Sequence, residues 1–310
     1  MDAPGVAFSA DATFSMVPQM TDATITAFRL EDCIDLGRYP IADLRSAPAR
    51  VLIGTCHRQL ADDGCVVLKD FVRPDMLSRL EAETERLSPD AHLNETETNP
   101  YNAAADPSLP PEHPKNRFDD RTNGFVAGDR IAAGTILRTI YHDPAFKAFI
   151  ASVVGEDEVY EFADPLADLV VNVLKEGRQH PWHFDSNDFI VTMQTRKPEG
   201  GGVFQYAPGI RGAQGENFGG VQAILDGDHS MLKTLELTPG DLQIFFGRNA
   251  LHRVTPVVGP RERHTVIFAY AKEPGFVGRP ERAKAIFGRM APVHERMLKE
   301  GVVRADALSD

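Results

Sequence analysis

The sequence predicts an α+β protein in which N-terminal helices buttress a double-stranded β-helix core of the jelly-roll, cupin-like kind. Apolar stripes of helical period occupy the first half of the chain. From Glu158 onward they give way to short β-branched and aromatic runs separated by glycine and proline turns. Such closely spaced short strands are typical of barrels and sandwiches. A length of 310 residues fits one elaborated domain, residues 1–310.

The predicted N-terminal layer begins with an irregular extension, residues 1–45, which we expect to lie over the surface. The apolar stripe from Ala47 to Leu60 indicates a helix. The β-branched run from Gly64 to Phe71 indicates a strand. Pro74 and the acidic residue after it suit the start of a second helix, whose leucines form one apolar face.

Residues 94–129 are rich in Asn, Asp, Thr and Pro. A linker and an ordered lid are both consistent with that composition, because long loops in compact domains are usually functional lids or disordered. Tyr101, His113 and Phe118 offer anchors, which favours the lid. A helical hairpin is expected to follow over residues 132–154.

The β-core is predicted over residues 158–272, followed by a C-terminal helix over residues 279–300. The segments expected to form its strands share high β-propensity and flanking turn residues. They are VYEF, DLVVNVL, DFIVTMQT, VFQYAP, LQIFF and HTVIFAY.

Composition and charge argue against several classes of function. A formal net charge of -12 argues against a nucleic-acid partner, because such affinity comes mostly from Lys and Arg. No apolar run is long enough to span a bilayer, no secretory signal is evident, and the three cysteines lack metal-type spacing. We expect a cytoplasmic protein with a small-molecule substrate and no membrane partner, and leave a homodimer open. The acidic charge weakly favours cationic substrates by steering.

A metal-binding pattern stands at the centre of the β-rich half. His183 and Asp185 are separated by one residue, so in an extended strand their side chains point to the same face. His252 follows the strand after Gly240 and Asp241. Two imidazoles and one carboxylate form the facial triad of non-haem iron(II) oxygenases, which leaves positions open for a co-substrate and O2.

An arginine follows the second histidine on a predicted strand. Arg263 offers a planar, permanently charged fork that suits the distal carboxylate of 2-oxoglutarate. Arg261 lies on the same strand face and remains an alternative. Arg263 is favoured because Thr265 would point inward beside it. Asn172 precedes the triad on a strand, where either a cavity-facing role or an ordinary ladder position is consistent with the pattern, and His180 is expected to be structural.

These motifs resemble a known family. HPWHFDSNDF, PEGGGVFQYAPGIR and LTPGDLQIFFGRNALHRVTPVVGPRER are similar to segments of iron(II)/2-oxoglutarate amino-acid hydroxylases related to the radical halogenases of free lysine and similar amino acids. NPYNAAADPSLPPEHPKNR and FADPL point to the same branch. The resemblance implies that His183, Asp185 and His252 bind iron and that Arg263 binds 2-oxoglutarate. Halogenases of this family carry a small residue where this chain has Asp185, which implies hydroxylation here.

The expected activity is therefore hydroxylation of an unactivated C–H bond of a free amino acid or close derivative, using Fe(II), 2-oxoglutarate and O2 and producing succinate and CO2. An alternative keeps these cofactors but gives desaturation or cyclisation of a small natural-product intermediate. A third hypothesis is a non-catalytic jelly-roll module that binds a metal. The intact triad and arginine argue against that third possibility.

The sequence indicates the residues that contact the substrate less clearly than it indicates the metal ligands. Asp188 and Glu161 suit a substrate ammonium, although a solvated surface role is equally consistent. Trp182 neighbours His183 but should point to the opposite face, which favours core packing. Tyr101 and Asn102, in the expected lid, are candidates for closing over the substrate, since a reactive oxidant is best shielded from water.

Overall fold

The computed structural model describes residues 28–93, 95–213 and 215–300. Eight α-helices lie within this part of the chain, and most of them precede the β-rich half or follow it. They are α1 Leu30–Cys33, α2 Ala47–Asp63, α3 Leu77–Leu87, α4 Ile136–His142, α5 Pro144–Val154, α6 Phe218–Leu225, α7 Pro280–Phe287 and α8 Pro292–Glu300.

The strands of the described chain are short. They are β1 Cys65–Leu68, β2 His92–Leu93, β3 Thr96–Thr98, β4 Asp119–Arg121, β5 Gly124–Val126, β6 Tyr160–Glu161, β7 Leu169–Leu174, β8 His180–His183, β9 Ile190–Arg196, β10 Gly200–Gly201, β11 Phe204–Ala207, β12 Lys233–Leu235, β13 Leu242–Phe245, β14 Leu251–Val254, β15 Val257–Val258, β16 Arg263–Phe268 and β17 Tyr270–Ala271.

Local capping residues fix the ends of the main helices. The Ser46 side chain accepts a hydrogen bond from the backbone amide of Ala49 at the start of α2, and Gly64 ends that helix in the left-handed conformation at φ 64°. Asp143 caps α5 by accepting from two backbone amides, and Gly155 ends it at φ 80°. A side chain at either glycine would be strained.

Two antiparallel sheets form the core. The larger has the strand order β1-β13-β9-β16-β7-β5-β2, and the smaller has the order β12-β11-β14-β8. Along the chain, β7, β9, β13 and β16 of the larger sheet alternate with β8, β11, β12 and β14 of the smaller one. This alternation is the jelly-roll connectivity of a double-stranded β-helix. The predicted α+β fold class is confirmed.

The larger sheet separates a helical layer from the barrel interior. Because strand side chains alternate, Val171 and Val173 of β7 pack toward the helices, where Phe146 is also fully buried. Leu174 instead joins an interior cluster formed by both sheets, as does Phe204 of the smaller sheet. The interior therefore combines apolar residues with polar residues from the strand positions that alternate with the helix-facing valines.

Several predicted boundaries need correction. Residues 1–27 of the expected irregular extension lie outside the described residues. The rest of it does not lie over the surface, because Leu30, Cys33 and Ile34 are buried in the core and α1 is helical. Apolar side chains at these positions make burial favourable. The β-core also extends beyond residues 158–272, because β1, β2 and β5 join the larger sheet.

The expected lid, residues 94–129, is partly sheet. β3 and β4 form a hairpin, and β5 pairs with β7 inside the larger sheet, so its end belongs to the core. Tyr101 is 1% exposed, whereas Phe118, expected as an anchor, is 41% exposed. The sequence did not predict a core strand at Gly124–Val126 because this short apolar run lies among polar residues.

The C-terminal segment is not one helix. α7 ends at Gly288, which has a φ of 69°, and α8 begins at Pro292. A left-handed glycine followed by a proline ends a helix and starts another. A buried hydrogen bond of 2.9 Å between His294 Nε2 and Asp164 Oδ2 attaches α8 to the domain. Within the described residues, none of the helices combines the length and apolar character needed to cross a membrane.

Candidate metal centre

Three potential metal ligands converge at one end of the barrel. Ligand atoms of His183, Asp185 and His252 all lie within 4.8 Å of one another. His183 ends β8 and stands directly opposite His252 in the β8–β14 ladder. Facing residues of antiparallel strands bring their side chains together, and the two imidazole centroids are 4.0 Å apart.

The carboxylate arrives from just beyond the strand. The sequence predicted that Asp185 would lie within the strand, but β8 already ends at His183. Its backbone amide donates to the carbonyl of Gly247, at 3.2 Å, which holds the chain extended past the strand end. Gly247 also makes room for the carboxylate, because a Cβ atom there would lie 1.8 Å from Asp185 Oδ2.

Backbone hydrogen bonds fix which nitrogen of each histidine faces the centre. Nδ1 of His183 lies 2.8 Å from the carbonyl oxygen of Pro181, and Nδ1 of His252 lies 3.0 Å from that of Ala250. Since a carbonyl only accepts, each Nδ1 must donate, which leaves the lone pair on Nε2. This arrangement orients imidazoles toward a metal.

The Nε2 atoms face the carboxylate. His183 Nε2 lies 3.8 Å from Asp185 Oδ1, and His252 Nε2 lies 3.4 Å from Asp185 Oδ2. Asp185 Oδ2 is buried without a hydrogen-bond partner among the described residues. Burial, and next the neighbouring His252, hold the pKa of His183 well below its usual range, so the ring is neutral at pH 7. Two imidazoles whose Nε2 atoms face an unsatisfied carboxylate fit a divalent cation.

A buried cation, Arg263, lies on β16. Arg263 is 4% exposed, and its Nη1 donates to the hydroxyl of Thr265 at 2.6 Å. Burial lowers the pKa of Arg263 to about 10. No carboxylate lies within ion-pair distance of it in the described chain. Arg261 behaves differently, since its guanidinium pairs with Glu81 and donates to a backbone carbonyl on the surface.

Polar side chains extend from Arg263 across three adjacent strands. Thr265 donates to Gln194 Oε1 at 3.2 Å and stands opposite Asn172 in the sheet. Asn172 in turn donates to the carbonyl of Gly124. A cavity of about 200 Å³ adjoins this row, with Gln194 and Arg263 in its wall. Its other lining residues are Lys197, Pro198, Glu199, Gly200, Gly201, Gly202, Val203, Phe204, Leu235, Glu236 and Leu237.

A second group of polar residues near the triad was not predicted from the sequence. Arg121, on β4, donates through Nε to Asn123 Oδ1 at 3.1 Å and lies over the ring of Phe125. Burial lowers the pKa of Arg121 to about 10, and the charge of Asp185 acts in the opposite direction. Asn123 Nδ2 is buried without a hydrogen-bond partner within the described ranges. The segment resembled a polar loop, so no sequence signal separated this arginine from surface ones.

The ring of His180, interpreted from sequence as structural, lies beside the triad. It stacks on His183 with centroids 3.7 Å apart and planes inclined by 18°. Burial, and next the neighbouring His183, hold the pKa of His180 well below its usual range. A neutral ring stacked in this way restricts the rotation of the ligand imidazole.

The other candidate substrate residues do not join the triad. Trp182 belongs to a separate apolar cluster, with the Arg253 guanidinium 4.5 Å from its ring centroid. Asp188 pairs with Arg248 and a lysine, and is 47% exposed in its side chain. Glu161 pairs with His142 and with a lysine.

The two candidates from the expected lid contact the residue between His183 and Asp185. Asn102 Nδ2 donates to the carbonyl of Phe184 at 3.4 Å, and the ring of Tyr101 lies 5.4 Å from that of Phe184. The backbone amide of Phe184 also donates to the carbonyl of Pro100. This segment therefore supports the backbone that carries two of the three candidate ligands.

The jelly-roll fold and its two-histidine, one-carboxylate site define an iron(II)/2-oxoglutarate-dependent oxygenase. The chain belongs to the Halogenase D family, whose model matches residues 50–277. No curated protein sequence matches it.

Solved structures similar to the chain share little sequence identity with it. One is a 2OG-Fe(II) oxygenase family oxidoreductase from Burkholderia pseudomallei, with 16% identity, 72% of this chain and 92% of that chain covered, and a TM-score of 0.46. A prolyl-4-hydroxylase from Pseudomonas putida has 14% identity, 70% and 97% coverage and a TM-score of 0.44. AviO1 from Streptomyces viridochromogenes has 16% identity, 73% and 97% coverage and a TM-score of 0.49.

Proposed function

We propose that this oxygenase hydroxylates an unactivated C–H bond of a free amino acid or a close derivative, producing succinate and CO2 from 2-oxoglutarate and O2. The observation that carries the proposal is the buried, unsatisfied carboxylate of Asp185 between the imidazoles of His183 and His252 in a member of the Halogenase D family. A carboxylate at this position completes a three-ligand protein site.

In this proposal His183, Asp185 and His252 hold iron(II). Iron bound with 2-oxoglutarate supplies, together with O2, the oxidising power for C–H cleavage. The protein contributes fixed ligand geometry, because the two Nδ1 hydrogen bonds orient both imidazoles and the stacked His180 ring also restricts that of His183. Ligands held in advance bind a metal without the cost of ordering them.

Arg263 is proposed to bind the distal carboxylate of 2-oxoglutarate. It is a buried cation whose neighbouring polar groups, Thr265 and Gln194, hydrogen bond to one another but bring no negative charge. A buried guanidinium without an anion is costly, so a carboxylate ligand would be bound strongly. Arg261 is already paired with Glu81 and its side chain is 41% exposed, which makes it the weaker candidate.

Hydroxylation is favoured over halogenation by the same carboxylate. The family resemblance implies that halogenases have a small residue at the position of Asp185, which leaves a place for chloride. Here the carboxylate takes that place, and Gly247 accommodates its bulk. Replacing Asp185 by glycine should abolish hydroxylation and open the position to a halide.

An amino-acid substrate is supported by Arg121 and Asn123. The Arg121 guanidinium, whose pKa responds to the charge of Asp185, lies beside the Asn123 amide, which has an unsatisfied donor among the described residues. A guanidinium beside an amide donor is suited to a carboxylate. The α-carboxylate of a free amino acid is such a group.

The test is anaerobic loading with iron(II) and 2-oxoglutarate, followed by O2 and a panel of free amino acids, with succinate and product mass measured together. One added oxygen atom per succinate is the expected result. A product lacking two hydrogens would indicate desaturation instead, and a chlorinated product would contradict the role given to Asp185. Absence of succinate with every amino acid would reject the proposed substrate class.

A further inference from the structure

The cavity beside Arg263 opens to the solvent. Three of its lining residues, Arg263, Gln194 and Phe204, are buried and form its inner end. Its lining also includes Lys197 and Glu236, whose side chains are 48% and 79% exposed. Lys197 lies in the turn between β9 and β10, and Glu236 directly follows β12. The cavity is therefore a passage that connects the buried guanidinium with the surface, and its mouth lies between these two segments.

Three consecutive glycines form one side of this passage. Gly200, Gly201 and Gly202 line the cavity and contribute no side chain to it. A Cβ atom at Gly202 would lie 2.9 Å from Arg263 Cδ, which is closer than ordinary contact. The backbone therefore approaches the arginine closely, and the passage keeps its width beside the arginine.

The passage is separate from the residues proposed to bind the amino acid. Within the described chain, its lining includes none of the triad ligands and neither Arg121 nor Asn123. The two regions meet at Phe204, which lines the cavity and whose ring centroid lies 5.6 Å from that of His252. Arg263 is proposed to hold the distal carboxylate of 2-oxoglutarate, so that end of the molecule lies beside the passage. A dicarboxylate can thus reach Arg263 from the surface without crossing the amino-acid site.

We propose that this passage is a co-substrate port, through which 2-oxoglutarate enters and succinate leaves, and that Lys197 attracts the dianion at its mouth. This inference rests on the proposed function. Lys197 Nζ lies 3.9 Å from Glu236 Oε2, and both side chains are exposed. An exposed ion pair contributes little, so an entering carboxylate can replace Glu236 at little cost. A separate port allows succinate to be exchanged for 2-oxoglutarate while the amino-acid site is occupied.

The test blocks the mouth of the port with a covalent label. Glu236→Cys places a thiol there, and a bulky maleimide attached to it obstructs the passage. Rapid-mixing filtration then measures how fast radiolabelled 2-oxoglutarate binds to the iron(II)-loaded protein and leaves it, without O2 or an amino acid. Both rates should fall about 10-fold or more relative to the unlabelled variant. The Kd should stay within about 3-fold, because an obstructed passage slows entry and exit alike and the Kd is their ratio.

The label is selective for the introduced thiol. Cys33, Cys56 and Cys65 are the three cysteines of the chain, and all are buried. Burial raises the pKa of Cys56 to about 11 and that of the other two to about 12. Because the thiolate is the reactive form, these three react slowly at pH 7. Labelled Val51→Cys is the matched control, since Val51 is 69% exposed on α2 and does not line the cavity; both rates should be unchanged there.

Charge substitutions at the mouth give an independent readout. Lys197→Gln should slow the association of 2-oxoglutarate at low ionic strength, and Glu199→Gln should speed it, because Glu199 also lines the cavity. Both effects should be about 2- to 10-fold and should shrink as added salt screens the charges. Lys272→Gln is the matched control, because Lys272 is similarly exposed, pairs with Glu156 and does not line the cavity.

Unchanged rates in labelled Glu236→Cys, equal slowing in labelled Val51→Cys, or a weaker Kd with an unchanged association rate would overturn the port. Equal association rates in Lys197→Gln and Lys272→Gln would overturn the role of Lys197. Normal binding of 2-oxoglutarate by Arg263→Gln would reject the assignment on which the port depends. Failure of the proposed function is recognised separately, by a lack of succinate with every amino acid of the panel, because the exchange measurements need neither an amino acid nor O2.

Discussion

Replacing Gly247 by alanine should weaken iron binding while preserving the fold. The new Cβ would lie 1.8 Å from Asp185 Oδ2 and 2.7 Å from its Cγ, whereas ordinary contact begins at 3.4 Å. The carboxylate must therefore move by much more than the roughly 0.2 Å within which metal–ligand distances are normally held. Gly247 is not among the glycines with positive φ, so its backbone tolerates alanine.

The expected cost is about 10- to 100-fold in iron(II) affinity, or about 1.4–2.8 kcal/mol, which is the usual effect of disturbing a metal ligand through its neighbour. The assay is an anaerobic iron(II) titration, with thermal unfolding of the metal-free protein as the measure of fold. Gly219→Ala, on α6, is the matched control, because within the described chain a Cβ atom added there would meet nothing within 4 Å apart from its chain neighbours and the backbone of its own helix. Wild-type iron affinity in Gly247→Ala would refute the coupling between this glycine and Asp185.

Other predictions concern the two proposed anion sites and the helical layer. Arg263→Gln should raise the KM for 2-oxoglutarate about 10- to 100-fold, whereas Arg261→Gln should change it little, since an exposed ion pair contributes little. Steady-state succinate formation at varied 2-oxoglutarate distinguishes the two variants. A larger effect of Arg261→Gln would transfer the role to Arg261. Arg121→Gln should raise the KM for the amino acid but not for 2-oxoglutarate, and equal effects on both would contradict its role in substrate binding. Glu83→Ala should lower the free energy of unfolding, measured in urea, by about 1–3 kcal/mol, because the Glu83 carboxylate accepts hydrogen bonds from two buried backbone amides at the start of α4. A stability within about 0.5 kcal/mol of wild type would argue against this cap.

The β-core was predictable because its signals are local. The period-two pattern of β7 and β16 indicates which residues face the interior, and it places Thr265 beside Arg263. His183 and His252 were likewise predictable as metal ligands, because their residue type alone indicates metal binding. Their side-by-side position, however, depends on ladder register between strands far apart in sequence.

The missed features depend on long-range packing. Arg121 occupies a polar segment, and only the pairing of β5 with β7 brings that segment to the centre. The broken C-terminal helix was a local error, since Gly288 and Pro292 are a recognisable end and start.

The central claim is that His183, Asp185 and His252 together hold one iron(II). The most direct test is the iron content of wild-type protein and of His183→Ala and His252→Ala, loaded anaerobically under identical conditions and freed of loosely bound metal. One iron per chain in the wild type and little in either variant, with unchanged circular dichroism, is the predicted result. Full iron content in either variant, or none in the wild type, would contradict the assignment.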